Sequence, residues 1–430
     1  MRKEAFRSLR NSPANALFFA LTFYLTTALL FAYFHMAATV MGDQPEVFIN
    51  SNHLADIFQQ LEKGNAGNLM MVFIVIMCAV DLIFANDFFV KNKAKEIGIR
   101  LMCGATYTQL AFYLLIQTMI LMAAAIPLGI LSGYGLLLWM QNALQTAIPL
   151  DGYAWMEFIA VMTMIVFWTT ALNCSFAYKS GAVLLAGGNM NALMKKENPY
   201  GLKKSKTAEY ILNIVGILAA LFPLVQFAYG GIGMIVGMVI GCIGLNRVLE
   251  NIVVPALTKH TRRSSTKKTE NVLRNGFLRR DILFSRLPVF LYLTDILVLL
   301  AMMTRNNTPL EASLVKISYG AVCILQALTI LFRLATDLST RTKEYRIMDQ
   351  IGADAEMRER IPVLEIVWYG LFLLAITLFY IGTALYFVVG NGSLPAGSAV
   401  FAVLFAVVPL LICLGILLVY YRRNVLGESL

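Results

Sequence analysis

The sequence predicts an all-α integral membrane protein of about ten transmembrane helices in two parallel-repeat halves, with both termini in the cytosol (N-in/C-in). Three observations predict it. The chain is too apolar for water, with 430 residues, 59% of them hydrophobic, 14% charged, and a mean hydropathy of +0.70. Soluble chains run at about 45–50% apolar and about 25% charged. Apolar stretches of roughly 20 residues, the length that crosses a hydrocarbon layer, recur along the chain. The basic residues collect in alternate loops between those stretches.

The predicted spans begin near Ala14, Leu69, Leu110, Trp155, Tyr210, Ile232, Ile282, Val315, Ile361 and Ala399. Long continuous runs favour helices, because backbone polar groups in lipid must be satisfied within the segment. The first run extends from about Ala14 to Val40, too long for the ~7–15-residue core of a signal peptide, so it is read as a retained span. A tight turn at Gly230-Gly231 joins the fifth and sixth spans.

Orientation follows from charge. With the N-terminus inside, all of the 35 Lys and Arg except Lys63, Arg305 and Lys316 fall on or near the cytoplasmic side. The opposite orientation would put the basic blocks 195–206, 259–280 and 341–360 outside, against the positive-inside rule. The external side then carries Asp43, Glu46, Asp56, Glu62, Asp151, Glu157 and Glu311. Its longest loop, about 42–67, places Leu54, Ile57, Phe58 and Leu61 at helical spacing, which predicts a short amphipathic surface helix.

Catalytic sets and metal sites are not indicated. The six cysteines form no C-x-x-C pair, and His35, His53 and His260 are scattered. No phosphate-binding loop G-x-x-x-x-G-K-[ST] occurs, and GLKKSK at 201–206 has the wrong spacing. The net charge of +10 is accounted for by cytoplasmic loops, so no nucleic-acid partner is expected.

An internal repeat lies on the predicted cytoplasmic face. Residues 95–105 read KEIGIRLMCGA and residues 343–353 read KEYRIMDQIGA. Each follows one apolar run and precedes another. In the first copy the helix of the second span is expected to continue through Lys91, Lys93, Lys95, Glu96 and Arg100, with Ile97, Leu101 and Met102 as an apolar stripe. Gly104 then closes it by taking positive φ. Gly352 is expected to do the same in the second copy. Topology rules demand positive charge there but not a matched Lys-Glu and Gly-Ala, so the pair reads as two docking hairpins for a protein partner. The docking residues are Lys95, Glu96, Arg100, Gly104 and Ala105, with Lys343, Glu344, Arg346, Gly352 and Ala353.

Those motifs, with the N-terminal EAFRSLRNSP as an elbow and SGAVLLAGG after the fourth span, resemble FtsX-like (MacB-type) ABC transporter permeases. The layout is closest to the bacitracin-resistance subfamily. Members of that subfamily carry a large extracellular domain between the seventh and eighth spans, where this chain has only MTRNNTPLEAS. The resemblance implies a first half over 1–207 with an FtsX-like core at 69–180, a hairpin of spans five and six over 208–258, and a second half over 259–430 with a core at 315–424. It implies a permease subunit in a bacterial plasma membrane, with no cofactor of its own. Two copies of a cytoplasmic ABC ATPase would hold ATP and Mg. Membrane lipid and a sensor kinase are further partners it implies, and no homo-oligomer is expected. The mechanism implied is mechanotransmission that exports or extracts an amphiphilic substrate: an antimicrobial or signalling peptide, or a lipid-linked species. A non-transporting regulator of cell-envelope enzymes is the first alternative.

Polar residues within spans are costly and are functional candidates. Asp81 and Asp295 lie deepest and would carry the second alternative, an ion-coupled carrier. Asn86 and Asn173 also lie in spans, whereas Asp87, Arg333, Asp337 and Glu365 are expected at the cytoplasmic interface. Gly233, Gly237 and Gly241 predict close packing of the sixth span on the fifth. Trp139 and Trp155 are expected as interfacial anchors.

Overall fold

The computed structural model describes Ser8 and residues 13–41, 66–144, 148, 150–185, 206–229, 234–264, 269–304, 309–350 and 355–426. The amphipathic surface helix expected near 54–61, the Gly230-Gly231 turn, Gly233, Gly352 and Ala353 lie outside the described residues. The described elements are helical: α1 Pro13–Met41, α2 Ala66–Met102, α3 Tyr107–Leu144, α4 Gly152–Leu185, α5 Lys206–Tyr229, α6 Met234–Val248, α7 Val254–Ser264, α8 Thr269–Met303, α9 Pro309–Gln350, α10 Ala355–Gly390 and α11 Ala396–Leu426. A π-helical turn, Leu249–Val253, carries α6 into α7 without a break. Ten of these segments are long and apolar enough to cross a membrane.

The helices fall into two compact units, Met1–Lys204 and Ser205–Leu430. In the first, α1 packs on α2, α3 and α4, and α2 and α3 each pack on α4. Two glycines set the spacing of α1 and α3. A Cβ at Gly129 would sit 2.6 Å from Thr27 Cβ, and one at Gly133 would sit 2.8 Å from the Ala28 carbonyl oxygen. The backbones therefore touch, which is how helices associate where lipid removes the hydrophobic drive. Thr22 and Thr27 turn their hydroxyls back to the carbonyls of Phe18 and Phe23, so neither is left bare in the bundle. Trp155 contributes to this packing as well. It packs edge-on against Phe31 and His35 of α1 at 5.0 and 5.6 Å between ring centroids, whereas Trp139 is exposed as an anchor would be.

In the second unit four of these five pairings recur. Helix α8 packs on α9 and α10, and α9 and α10 each pack on α11. Two tyrosines tie α11 in place. Tyr292 of α8 donates to the Ala406 carbonyl and Tyr319 of α9 donates to the Ala402 carbonyl at 2.9 Å, one turn apart. Helix α6 approaches α5 as its glycines predict. A Cβ at Gly244, a position the sequence reading missed, would fall 2.6 Å from the Ala220 backbone nitrogen. Glu365 corrects an expectation. It is fully buried on α10, so it does not reach out to water as a snorkelling side chain does. The side chain of Asp337 lies outside the described residues.

Candidate functional site

Helix α2 does not stop where its apolar span stops. The span ends at Val90 and the helix at Met102, an overhang of about 18 Å at ~1.5 Å per residue. Nothing between Lys91 and Met102 forbids helix, and Gly104 then ends it at φ +87°. The Gly104 N–H reaches the Leu101 carbonyl at 3.0 Å and the Ala105 N–H reaches the Arg100 carbonyl at 3.1 Å. These two bonds form a Schellman closure that needs a left-handed residue at Gly104. The next helix starts at once. Thr106 Oγ1 accepts from the Gln109 N–H at 3.4 Å, and Gln109 Oε1 accepts from the Thr106 N–H at 3.1 Å. This reciprocal capping box starts α3. The hairpin tip is thus specified residue by residue and has no slack.

A polar clasp ties the overhang to Ser8 near the N-terminus. Ser8 Oγ donates to Glu96 Oε2 at 2.7 Å, and Lys93 Nζ donates to Ser8 Oγ at 2.7 Å and to the Ser8 carbonyl at 3.2 Å. From α3, the Tyr113 hydroxyl donates to Glu96 Oε1 at 2.6 Å. Arg100 reaches the same oxygen at 3.3 Å while its guanidinium lies 4.1 Å above the Tyr113 ring. Burial alone would raise the Glu96 carboxyl. Hydrogen bonds from Tyr113 and Ser8, with the charges of Lys93 and Arg100, outweigh it and hold the group below its ordinary value. For Lys93 burial is the larger influence and lowers the ammonium, against the pull of Glu96.

Glu96 and Arg100 therefore spend their polar atoms inside the first unit. What the tip exposes is different. Met102 is 81% exposed and Ile99 50%, with Cys103, Gly104 and Thr106 exposed beside them. Met102 does not continue the apolar stripe expected with Ile97 and Leu101. Ile97 is fully buried, Leu101 half-buried, and Met102 points away. The sequence reading missed Ser8 and Tyr113 as partners of Glu96. No sequence signal pairs them, since Ser8 lies 88 residues and Tyr113 17 residues from Glu96.

The side chains of Lys95, Lys343, Glu344 and Arg346 lie outside the described residues. The backbone of the second copy is described on both sides of its turn. Helix α9 passes its span end at Ala335 and runs to Gln350, two residues before Gly352, as α2 ends two residues before Gly104. Helix α10 starts at Ala355, three residues after Gly352, as α3 starts three residues after Gly104. Asp81 of α2 and Asp295 of α8 are each 1% exposed and so face protein, as intramembrane carboxylates do. Among the described residues no group of three or more His, Cys, Asp or Glu is placed to hold a metal.

No curated protein matches the chain. The family model described as FtsX-like permease C-terminal matches residues 68–180, which takes in α2, its hairpin, α3 and most of α4. Residues 68–180 of this multi-pass membrane protein are thus similar to the C-terminal domain of FtsX-like permeases.

Proposed function

We propose that this protein is the permease subunit of an ATP-driven ABC transporter and that the α2–α3 hairpin is where a separate ATPase docks. The observation that carries the reading is the overhang of α2. A helix that leaves the membrane, ends in a Schellman closure and returns through a capping box is a stiff lever. Ile99 and Met102 form its apolar tip. An exposed apolar knob of that size is a contact surface for a partner. The basic composition of this overhang in the sequence, Lys91, Lys93, Lys95 and Arg100, suits an acidic partner.

The overhang of α9, about 22 Å from Ala335 to Gln350, supports a second lever and a second core over 315–424. Two levers in one chain fit the two equivalent grooves of an ATPase dimer. ATP and Mg belong to those ATPase chains. Closure of the dimer pushes the levers, and α2 and α9 carry the motion into the membrane. The substrate is amphiphilic, a peptide or a lipid-linked species, and leaves sideways from the outer leaflet of a bacterial plasma membrane. Asp151 and Glu157, beside the α3–α4 connection, favour a cationic one.

Cys103 tests both docking and orientation, because it is the exposed member of the six cysteines. An impermeant maleimide is expected to label Cys103 in inside-out vesicles and not in intact cells. Cysteines placed at Asn52 and Asn307 should show the reverse. Adding the ATPase should slow labelling of Cys103 severalfold. Labelling in intact cells would overturn the orientation, and labelling indifferent to the ATPase would overturn docking at this tip. ATPase stimulation without substrate extraction from reconstituted vesicles would point instead to a regulator that does not transport.

A further inference from the structure

Where α6 leaves the bilayer it does not turn. The π-helical turn at Leu249–Val253, with the Val254 N–H bonded to the Leu249 carbonyl, rotates the chain into α7. A π turn inserts one extra residue and so shifts the helical face. Helix α7, VPALTKHTRRS, is amphipathic and basic, and it lies against the start of α8. Between the two helices is a cleft of about 400 Å³ lined by Val254, Pro255, Thr258, Lys259 and Arg279. Among the described residues no carboxylate lines it. Lys259 and Arg279 belong to the basic block 259–280, which the positive-inside pattern assigns to the cytosolic surface of the bilayer.

We infer that this cleft is a binding site for the headgroup of an anionic phospholipid. Lys259 and Arg279 are both exposed, Glu250 is engaged with Arg286, and Asp281, two residues from Arg279, is buried. The two cations therefore face the cleft and can hold a phosphodiester, the guanidinium by paired N–H donors and the ammonium as a point charge. Thr258 donates its hydroxyl to the Val254 carbonyl at 2.9 Å, which leaves its oxygen to accept from a headgroup hydroxyl. Glycerol-type headgroups supply one. Val254 and Pro255 give an apolar wall for the glycerol backbone and first methylenes. A soluble phosphate would use the two charges and leave that wall wet. Basic pockets at helix ends on the cytoplasmic side are suited to such lipids.

The inference stands apart from the docking of an ATPase and is tested without one. The full chain is placed in nanodiscs of mixed zwitterionic and glycerol-type anionic phospholipid, and retained lipids are counted by native mass spectrometry. The wild-type chain should retain the anionic lipid preferentially, and Lys259→Gln with Arg279→Gln should weaken retention on the order of tenfold. Arg422→Gln, an exposed cation at the end of α11, should leave it unchanged. Equal retention by the double variant would overturn the site. Displacement of the lipid by inorganic phosphate at equal concentration would show an anion pocket and overturn the lipid assignment. Equal retention of zwitterionic lipid would do the same.

Discussion

Arg333 donates its Nε proton to the carbonyl of Phe284 at 3.1 Å, and that carbonyl is the acceptor that Pro288, four residues on, cannot serve. Proline has no N–H, so each proline inside a helix leaves the carbonyl of the preceding turn without its bond. Here the gap in α8 is filled by a side chain from α9, which also lays its guanidinium 3.8 Å above the Phe284 ring. The expectation of a snorkelling arginine gives way to an interhelical one. Removing Arg333 as Leu should cost roughly 1–3 kcal/mol, the desolvation penalty of an unpaired buried acceptor. In a Pro288→Ala background the new N–H serves Phe284, and the same substitution should cost less by about 1 kcal/mol. Unfolding in detergent measures the cycle. Equal costs in both backgrounds would mean that Arg333 does not act through that carbonyl.

The clasp at Glu96 gives a pH signature. Its folded carboxyl titrates below the ordinary value of 4.5, so the stability it adds is present above that pH and is lost as pH falls through the depressed value. A spin label at Thr108 should be immobile at neutral pH and become mobile only as pH drops below about 4.5. With Glu96→Gln it should be mobile across the range. Tyr113→Phe and Ser8→Ala should each shift the transition to higher pH, because each removes a bond that favours the carboxylate. A label indifferent to all three changes would leave the clasp without a mechanical role.

Gly104 is needed for its backbone and not for space. Its φ is +87° and nothing lies within 4 Å of an added Cβ. Gly104→Val should therefore strain the closure by about 1–3 kcal/mol, while Gly104→Asn, which tolerates left-handed backbone, should cost less. Stimulated ATP hydrolysis should follow the same order. If Val and Asn behave alike, the turn does not transmit.

Gly129 is the opposite case, needed for space. Gly129→Leu must push α1 off α3, because the first added carbon already meets Thr27 and the Tyr24 carbonyl oxygen. Folding yield in membranes should collapse, whereas Gly135→Leu, with nothing within 4 Å, should be tolerated. A folded Gly129→Leu protein with wild-type melting would refute the close approach.

Stoichiometry tests the two-lever reading. One chain with two Lys-Glu-x7-Gly-Ala segments should assemble with two ATPase subunits, and the native mass of the complex reads this directly. Arg100 occupies the place of Met348 in the second copy, so the two ATPase sites should differ in affinity. A two-to-two complex would mean that each chain engages one groove.

The sequence by itself determined the number of spans, their order, the overhang of α2 and its stop at Gly104. These are local properties. Lipid solvation depends on a run of some 20 neighbours, and a Schellman closure on residues within one turn. Even the matched helix ends at Met102 and Gln350 were legible, since each precedes the Gly-Ala of a repeated motif by the same step. Tertiary structure decided which side chains meet. Glu96 lies far along the chain from Ser8, and Phe284 from Arg333, and no periodicity relates them. It also decided that Met102 points outward while Ile97 is buried. Which face of an overhanging helix is covered depends on where the neighbouring helices stand, and their positions are set by close approaches such as Gly129 on Thr27.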